Sequence, residues 1–191
     1  MLVWDPADPD ADPVRLGGYL VKSDWVAALA VLPDGRLASS GNEGRVLVWD
    51  TADPDASPVE IGRHDRGAAA LAALPDGRLA TGGIDGRVLV WDPADPNAGS
   101  VELGRHGGLV EAVAVLPDGR LVTGGGDGWV WLWDVPSSSP GSLLACFAYA
   151  LATSPSASGA HLFIGHMRGG ISCWEVRAAA QNTSGARQGA G

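Results

Sequence analysis

Short apolar segments separated by glycine and proline recur along the chain, and their spacing is that of strands. In one period, "AAALAAL" (68–74) is almost wholly apolar, which is typical of a strand buried on both faces. "RLATGG", "RVLVW" and "SVELG" follow as three further predicted strands, the second of them rich in β-branched residues. The turn signals "PDG" and "IDG" and the proline-rich "DPADPNAG" separate them. One period therefore predicts four short strands.

This period occurs three times with a spacing of 42 residues, which Trp49, Trp91 and Trp133 share with the "LPDGRL" segments. Trp4 and Trp174 extend the series with spacings of 45 and 41. No apolar set recurs at helical spacing, and glycine or proline interrupts the chain too often for helices. The pattern predicts an all-β repeat protein made of four-stranded antiparallel units.

The segments "RVLVWD", "LPDGRLATGG" and "IDG", with His64 and His106 opening two repeats, resemble the WD40 (WD-repeat) β-propeller family. The Gly-His pair of that family stands here as "GRH". The resemblance covers residues 1–176 and implies a β-propeller of four-stranded antiparallel blades. The length of the chain gives about four such blades, fewer than most rings of this family contain, so an incomplete ring is one of the arrangements to consider.

The repeats are expected at about 20–62, 63–104, 105–146 and 147–176, with a partial blade at 1–19 and a disordered tail of small and polar residues at 177–191. Three arrangements are open. "PVRLGG" (13–18) supplies the outer strand of the last blade and closes a four-bladed ring, two chains join into one ring, or further blades lie upstream in a longer polypeptide. The start within the third-strand segment "LVWD" favours the last arrangement.

In the WD40 family, a His before the first strand, a Ser or Thr in the second, an Asp in the next turn and the third-strand Trp form a hydrogen-bonded set. By position, the resemblance assigns these roles to two sets: His64, Thr81, Asp85 and Trp91, and His106, Thr123, Asp127 and Trp133. The first repeat keeps Ser39 and Trp49, with Glu43 at the Asp position and Lys22 near the His position. The last repeat keeps Trp174, with Ile164 and Arg168 at the hydroxyl and Asp positions.

The combination of His, Thr and Asp also matches a nucleophile, its base and an orienting carboxylate. Two observations favour a structural role. The set occurs in at least two equivalent places, whereas an active site is normally formed once per chain. A buried indole N–H also needs an acceptor, which the Thr hydroxyl supplies. We therefore expect no catalytic residue.

Other candidate sites are weaker, and we expect neither a metal nor a cofactor. The acidic segment "DPADPDADP" (5–13) has prolines that oppose the wrap of a calcium loop, and Cys146 and Cys173 lack a second pair for zinc. The one unrepeated cluster that would suit a catalytic propeller, such as a hydrolase or lyase with a central-channel site, is His161 with His166. Two residues five apart on a strand point to opposite faces. "WVWLW" (129–133) is expected to pack against the adjacent blade rather than to stack sugars or bases.

The net charge of −9 argues against binding to nucleic acid. No secretion signal is visible, and the longest apolar run, "LLACFAYALA" (143–152), is too short to cross a bilayer, so we expect a cytoplasmic protein that does not bind membranes. Arginine makes up twelve of the thirteen basic residues, which is typical of a GC-rich genome. The resemblance implies attachment to a larger bacterial signalling protein.

Alternating strand direction sends the turns to two ends of the propeller. The "PDG" turns and the long acidic loops share one end, here called the PDG end, and the "GRH" segments share the other, the GRH end, with the turns "NEG", "IDG" and "GDG". Arginine and tryptophan are favoured at interfaces, so we expect protein partners to bind at the GRH end through Lys22, Trp25, Arg63, Arg66 and Arg105. The resemblance implies a non-catalytic interaction scaffold. A catalytic propeller and a gene fragment without its own function are the alternatives.

Overall fold

The computed structural model describes residues 2–3, 8, 10, 12–16, 25–135, 139–145, 148–166 and 169–177, and at 2–3, 14–15 and 139–145 it describes the backbone alone. Several residues discussed above, namely Trp4, Lys22, Cys146, Arg168 and residues 178–191, lie outside the described residues. Within the described part of the chain, no helix is long and apolar enough to cross a membrane.

Antiparallel strands build the described structure, and they form one small pair followed by sheets that we number 1 to 4 in chain order. The pair consists of β1 (Leu2–Val3) and β2 (Val14–Arg15). Sheet 1 contains β3 (Val26–Val31), β4 (Leu37–Gly41), β5 (Arg45–Trp49) and β6 (Val59–Arg63). Sheet 2 contains β7 (Ala68–Ala73), β8 (Leu79–Gly83), β9 (Arg87–Trp91) and β10 (Ser100–Arg105).

Sheet 3 contains β11 (Val110–Val115), β12 (Leu121–Gly125), β13 (Trp129–Asp134) and β14 (Ser139–Ala145). Sheet 4 has three strands among the described residues: β15 (Ala148–Ser156), β16 (Gly159–His166) and β17 (Ile171–Arg177). The all-β blade architecture predicted from the sequence is confirmed, and the described strands do not close into a ring. β17 extends to Arg177, one residue beyond the predicted end of the propeller at 176.

All four sheets share one strand register, which explains the constant repeat. The tryptophan of the third strand lies opposite a leucine of the second strand in every sheet, and the pairs are Leu37↔Trp49, Leu79↔Trp91, Leu121↔Trp133 and Leu162↔Trp174. Each first strand also carries a bulge near its start, for example between Ala68 and Ala70. Equivalent positions can therefore be compared from sheet to sheet.

The sheets stack face to face in chain order, so each has an upstream face and a downstream face. In sheet 2 the downstream face carries Ala80, Val88 and Val90, which pack against sheet 3, and the upstream face carries Leu79, Leu89 and Trp91, which pack against sheet 1. Three apolar cores result, one between each pair of successive sheets. Burial of both faces explains why the inner strands are almost wholly apolar.

One residue of the outermost strand of a sheet packs against the tryptophan of the next sheet. Ile61 and Leu103 lie at bulges in β6 and β10 and pack in the cores that contain Trp91 and Trp133. Leu16, which follows β2, is buried in the same way with Trp49. β2 is paired with β1, so in this structure residues 14–15 do not form the outer strand of sheet 4.

A glycine follows Ile61 and Leu103, and it lets the tryptophan of the next sheet approach the backbone. A Cβ atom on Gly62 would lie 1.9 Å from Cζ3 of Trp91, and one on Gly104 would lie 2.8 Å from Cη2 of Trp133. These separations are far shorter than van der Waals contact. Only glycine fits between these sheets without moving the indole.

The substitution Gly62→Ala is expected to destabilise the protein by about 1–3 kcal/mol, because the added methyl group overpacks the core between sheets 1 and 2. Chemical denaturation measures the change. Gly165→Ala is the matched control, since a Cβ there meets its nearest neighbour at an ordinary 3.5 Å. Equal stability of the Gly62 variant and the wild type would show that the indole does not need this glycine.

Candidate functional site

Four polar side chains predicted as a set lie in one hydrogen-bonded row across sheet 2. The indole Nε1–H of Trp91 donates to Oγ1 of Thr81 at 2.9 Å. Oγ1 of Thr81 lies 2.7 Å from Nε2 of His64, and Nδ1 of His64 lies 3.1 Å from Oδ1 of Asp85. The row runs from the core between sheets to the turn after β8.

The direction of each hydrogen bond in this row follows from the donor inventory. An indole N–H can only donate, so the Thr81 oxygen accepts from Trp91. The Thr81 hydroxyl then uses its proton to donate to Nε2 of His64, which must be unprotonated. The ring proton of neutral His64 therefore sits on Nδ1 and is donated to Asp85. The row selects one tautomer of a neutral histidine.

Sheet 3 repeats the row with nearly the same distances. Nε1–H of Trp133 donates to Oγ1 of Thr123 at 2.8 Å, and that oxygen lies 2.8 Å from Nε2 of His106. Nδ1 of His106 lies 3.1 Å from Oδ1 of Asp127. The second predicted set is thus also brought together.

The first and last sheets depart from this row in different ways. In sheet 1, Nε1–H of Trp49 donates to Ser39 at 2.8 Å. In sheet 4, Ile164 occupies the hydroxyl position, as the register Leu162↔Trp174 shows, and Trp174 donates instead to Ser172 of its own strand at 3.2 Å.

Nε2 of His166 lies 2.9 Å from the same Ser172 oxygen. This substitute row was not predicted from the sequence. The signal that could have revealed it is a serine two residues before Trp174, where the other repeats carry Leu or Trp.

The carboxylate end of the row holds the backbone at the GRH end. Asp85 accepts the backbone N–H of Asp65 at 3.2 Å and that of Arg87 at 3.0 Å. Gly83 lies directly beneath the row, and a Cβ there would lie 2.1 Å from Oδ1 of Asp85 and 2.3 Å from Nδ1 of His64. One carboxylate therefore joins the His segment, the turn and the start of β9.

The pKa values of the row match the neutral histidine derived above. Burial lowers the pKa of His64 below its ordinary value, and the neighbouring Asp85 carboxylate offsets this only in part. Burial alone would raise the pKa of Asp85. The backbone N–H of Arg87 and the His64 side chain outweigh it, so the pKa of Asp85 lies below its ordinary value. The lowered pKa of Asp85 therefore stabilises the fold at neutral pH, and the lowered pKa of His64 costs stability only at acidic pH.

Thr81, His64 and Asp85 have the order and spacing of a nucleophile, a base and an orienting carboxylate. The Thr81 side chain is nevertheless completely buried, with an exposed fraction of 0%. Its oxygen is also occupied by the Trp91 indole. A substrate cannot reach this hydroxyl, so the row serves to hold the sheet together.

The GRH end brings together the segments that the sequence analysis assigned to it. His64 N–H donates to the carbonyl of Gly44 in the turn of sheet 1, and Ile84 N–H donates to the carbonyl of Gly67. The predicted partner residue Trp25 lies here and is 70% exposed. Lys22, the other member near it, lies outside the described residues.

The three predicted arginines of the GRH end differ in their ion pairs. Arg63 contacts Glu60 at 3.5 Å, and Arg105 contacts Glu102 at 2.9 Å. Each of these glutamates also binds an arginine of the neighbouring strand, Arg45 or Arg87. Arg66 is exposed and has no ion pair within the part of the chain that the structure describes.

A depression of about 620 Å³ lies between sheets 2 and 3 at the GRH end. Its wall combines the side chains of Ile84 and Leu109 with the charged Arg66 and Asp65. Ile84 is exposed although it is a large apolar residue. The GRH end therefore offers apolar and charged groups side by side.

Acidic groups at the PDG end are paired in a regular way. Asp34, Asp76 and Asp118 each bind the arginine two residues later in the same turn, at 2.8, 2.7 and 2.8 Å. Arg36 also donates to the carbonyl of Pro93 in the following sheet at 3.2 Å. These arginines reduce the negative charge that the sequence suggests for this end.

Two other predicted candidates do not form joint sites. His161 lies beside Phe163 and His166 binds Ser172, so the two histidines have different neighbours. In "WVWLW", Trp133 is buried and stacks with Trp131, while Trp129 is exposed. Among the described residues, no group of three or more His, Cys, Asp or Glu side chains could hold a metal ion.

Comparison with known proteins gives one family. The WD40 family model (WD domain, G-beta repeat) matches residues 15–50, 59–92 and 100–134, which together make up more than half of the chain. The second and third matches begin with the outer strand of one sheet, β6 or β10, and end one residue after β9 and at the last residue of β13. No curated protein sequence matches the chain significantly.

Thr81→Val is expected to lower the free energy of unfolding by about 1–3 kcal/mol, because the indole N–H of Trp91 and Nε2 of His64 lose their buried partner. Urea denaturation measures the difference. Thr51→Val serves as the control, since that hydroxyl is on the surface and its loss is expected to cost less than about 0.5 kcal/mol. Equal effects of the two substitutions would contradict the role given to the row.

Stability is expected to fall as the pH drops below about 6.5, because the unfolded chain then binds a proton on His64 that the folded protein resists. A second loss follows below about pH 3.8, where the lowered pKa values of Asp85 and Asp127 act in the same direction. Denaturation at several pH values measures both. His64→Gln should weaken the loss between about pH 7 and pH 5. An unchanged slope in that variant would contradict the assignment.

Proposed function

Because the chain belongs to the WD40 repeat family, we propose that it is a non-catalytic scaffold that binds a protein partner at the GRH end. WD40 repeats commonly mediate protein–protein interaction, and the stacked sheets of this chain provide a rigid base for displayed turns. The observation that carries the proposal is the exposure of large apolar side chains at this end, Trp25 and Ile84 foremost, and Ile84 lines a depression together with Arg66.

Differences between equivalent positions support this choice of surface. The position of Trp25 in the first repeat is occupied by Gly67 and Leu109 in the next two. The equivalent position in the turn after the second strand is likewise different in each repeat, where it is Asn42, Ile84 or Gly126. The buried row is repeated, whereas these surface positions vary, so each blade presents a different contact to a partner.

A partner suited to this surface would place an apolar side chain near Ile84 and Leu109 and an acidic group near Arg66. We infer a protein segment rather than nucleic acid or a membrane, because the chain carries a net charge of −9. We also propose a cytoplasmic location and attachment to a larger signalling protein of bacterial type.

A catalytic propeller is the second candidate function, and it finds less support. The buried Thr81 hydroxyl is inaccessible, and His161 and His166 have separate partners. Ser172 is hydrogen-bonded to His166, but its oxygen also accepts the indole N–H of Trp174.

Arg66→Glu and Ile84→Asp are each expected to reduce binding of the partner at least tenfold, because they place a negative charge where a basic and an apolar group are exposed. Affinity capture from the source cells followed by quantitative mass spectrometry identifies and measures the partner.

Ala98→Asp is the matched control, since it adds an acid at an exposed loop position of the PDG end. A partner that is lost with the control and kept with both GRH-end variants would show that the partner binds at the PDG end, which contradicts the proposal. Equal recovery with all three variants would remove the support for a protein-binding face among these residues.

A further inference from the structure

The downstream face of sheet 4 is an uncovered copy of a face that is buried in the other sheets. Ile171 is 78% exposed, whereas Val88, at the equivalent place in sheet 2, is 0% exposed. Phe163 and Cys173 are exposed at the positions where sheet 2 buries Ala80 and Val90. Ala150 and Ala152 are exposed on the same face. These five side chains are apolar and have the register of an interface between sheets, and the alternation along the strands continues this face to the polar Ser154, His161 and Glu175.

The upstream face of sheet 1 is uncovered along its first strand. Leu29 is 50% exposed, whereas Leu71, its equivalent in sheet 2, is 9% exposed. Val31, two residues on, is 67% exposed. The upstream face of sheet 1 and the downstream face of sheet 4 are thus the two halves of one type of interface, and they lie at opposite ends of the stack.

Three pairs of successive sheets in this chain show how such a face is covered. Each downstream face packs against the upstream face of the following sheet, at sheets 1 and 2, 2 and 3, and 3 and 4. The two free faces do not cover each other within one chain, since Leu29, Val31 and Ile171 would then be buried. We propose that a second copy of this chain covers them, head to tail, so that two copies close one ring.

The outer edge of β17, with which no described strand pairs, specifies how the two copies join. Sheet 4 has three strands among the described residues and ends at β17, which is seven residues long. β2 has the position of an outer strand, yet it is paired only with the two residues of β1. In the closed ring, β2 of one copy pairs with β17 of the other and takes the place of a fourth strand, and β1 is displaced. Each copy then contributes four four-stranded sheets to the ring.

The register of this new pair follows from equivalent positions. Val48 lies opposite Val59 in sheet 1, and Val3 lies opposite Val14 in the small pair. Cys173 occupies in sheet 4 the place that Val48 occupies in sheet 1. Cys173 of one copy therefore faces Val14 of the other. Contacts of this kind are heterologous, and they form a closed ring when the rotation between copies returns to the start.

Sedimentation velocity and light scattering of the full chain test the proposal. The expected mass is twice 19.5 kDa. Ile171→Arg and Val31→Arg, one on each free face, are each expected to give a folded monomer. Val101→Arg, at an apolar position of β10 that is 53% exposed and lies outside both faces, should remain a dimer. A wild-type monomer at every concentration, whether open or closed on itself, would overturn the proposal.

Mixing the two monomeric variants distinguishes a head-to-tail ring from other dimers. Each variant alone carries a substitution in both interfaces of the ring, whereas a mixed pair has one interface that is wholly wild type. A dimer should therefore return on mixing. Loss of the dimer in Ile171→Arg alone, with Val31→Arg still dimeric, would instead show that two copies of sheet 4 face each other.

A disulfide tests the strand pairing. With Cys146 replaced by Ser, the substitution Val14→Cys is expected to form an intermolecular bond with Cys173, since directly opposed residues of antiparallel strands have suitable Cα distances. A reducible band at twice the mass on a denaturing gel is the expected result. Val59→Cys is the matched control, because it holds the equivalent place in sheet 1 and is already paired with Val48. An intramolecular bond, or cross-linking equal to the control, would refute the pairing.

This inference does not rest on the protein-binding role of the GRH end. The substitutions used here lie on the free faces of the stack, and those used for partner capture lie on its turns. A partner can be lost while the dimer stays, or the reverse, so the two proposals fail separately.

Discussion

Burial of one indole in each of sheets 1 to 3 is the constraint on which most of this structure depends. Trp91 fills the space between sheets 1 and 2 and approaches the backbone at Gly62. An indole has a single polar hydrogen that can only donate, so its burial requires an acceptor inside the core. Thr81 is that acceptor, and its own hydroxyl proton then needs His64. One apolar contact thus requires a polar row that ends at Asp85, near the surface.

The end of that row explains why the turns at the GRH end are well defined. Asp85 accepts hydrogen bonds from the backbone of two segments, which lie in different parts of the chain. The buried core therefore fixes the position of the turns, and the residues beside these turns can vary without loss of the frame. Ile84 and Arg66 stand on such a frame, which is why their side chains are suited to recognition.

The two rows could be predicted from the sequence, because the resemblance to the WD40 family assigns the role of each residue by position and these positions recur at a constant spacing. The strand boundaries of sheet 2 were predictable for the same reason. The pairing of Arg45 and Arg63 with Glu60 was not, since a bulge at Ile61 shifts the register between β5 and β6. Ser172 was missed because the acceptor for Trp174 lies on the third strand, beside the tryptophan itself, and not on the second strand as in the other sheets.

Sheet 4 shows the effect of losing the buried hydroxyl of the polar row. Ile164 removes the acceptor from the core, and Trp174 turns to Ser172 and remains 45% exposed. In a stack of sheets, stability is the sum of each unit and its contacts with neighbours. Sheet 4 has one neighbour where sheets 2 and 3 have two, and its polar row is weaker. Its folding should therefore be coupled most closely to whatever packs on its free face, so that association and local order rise together.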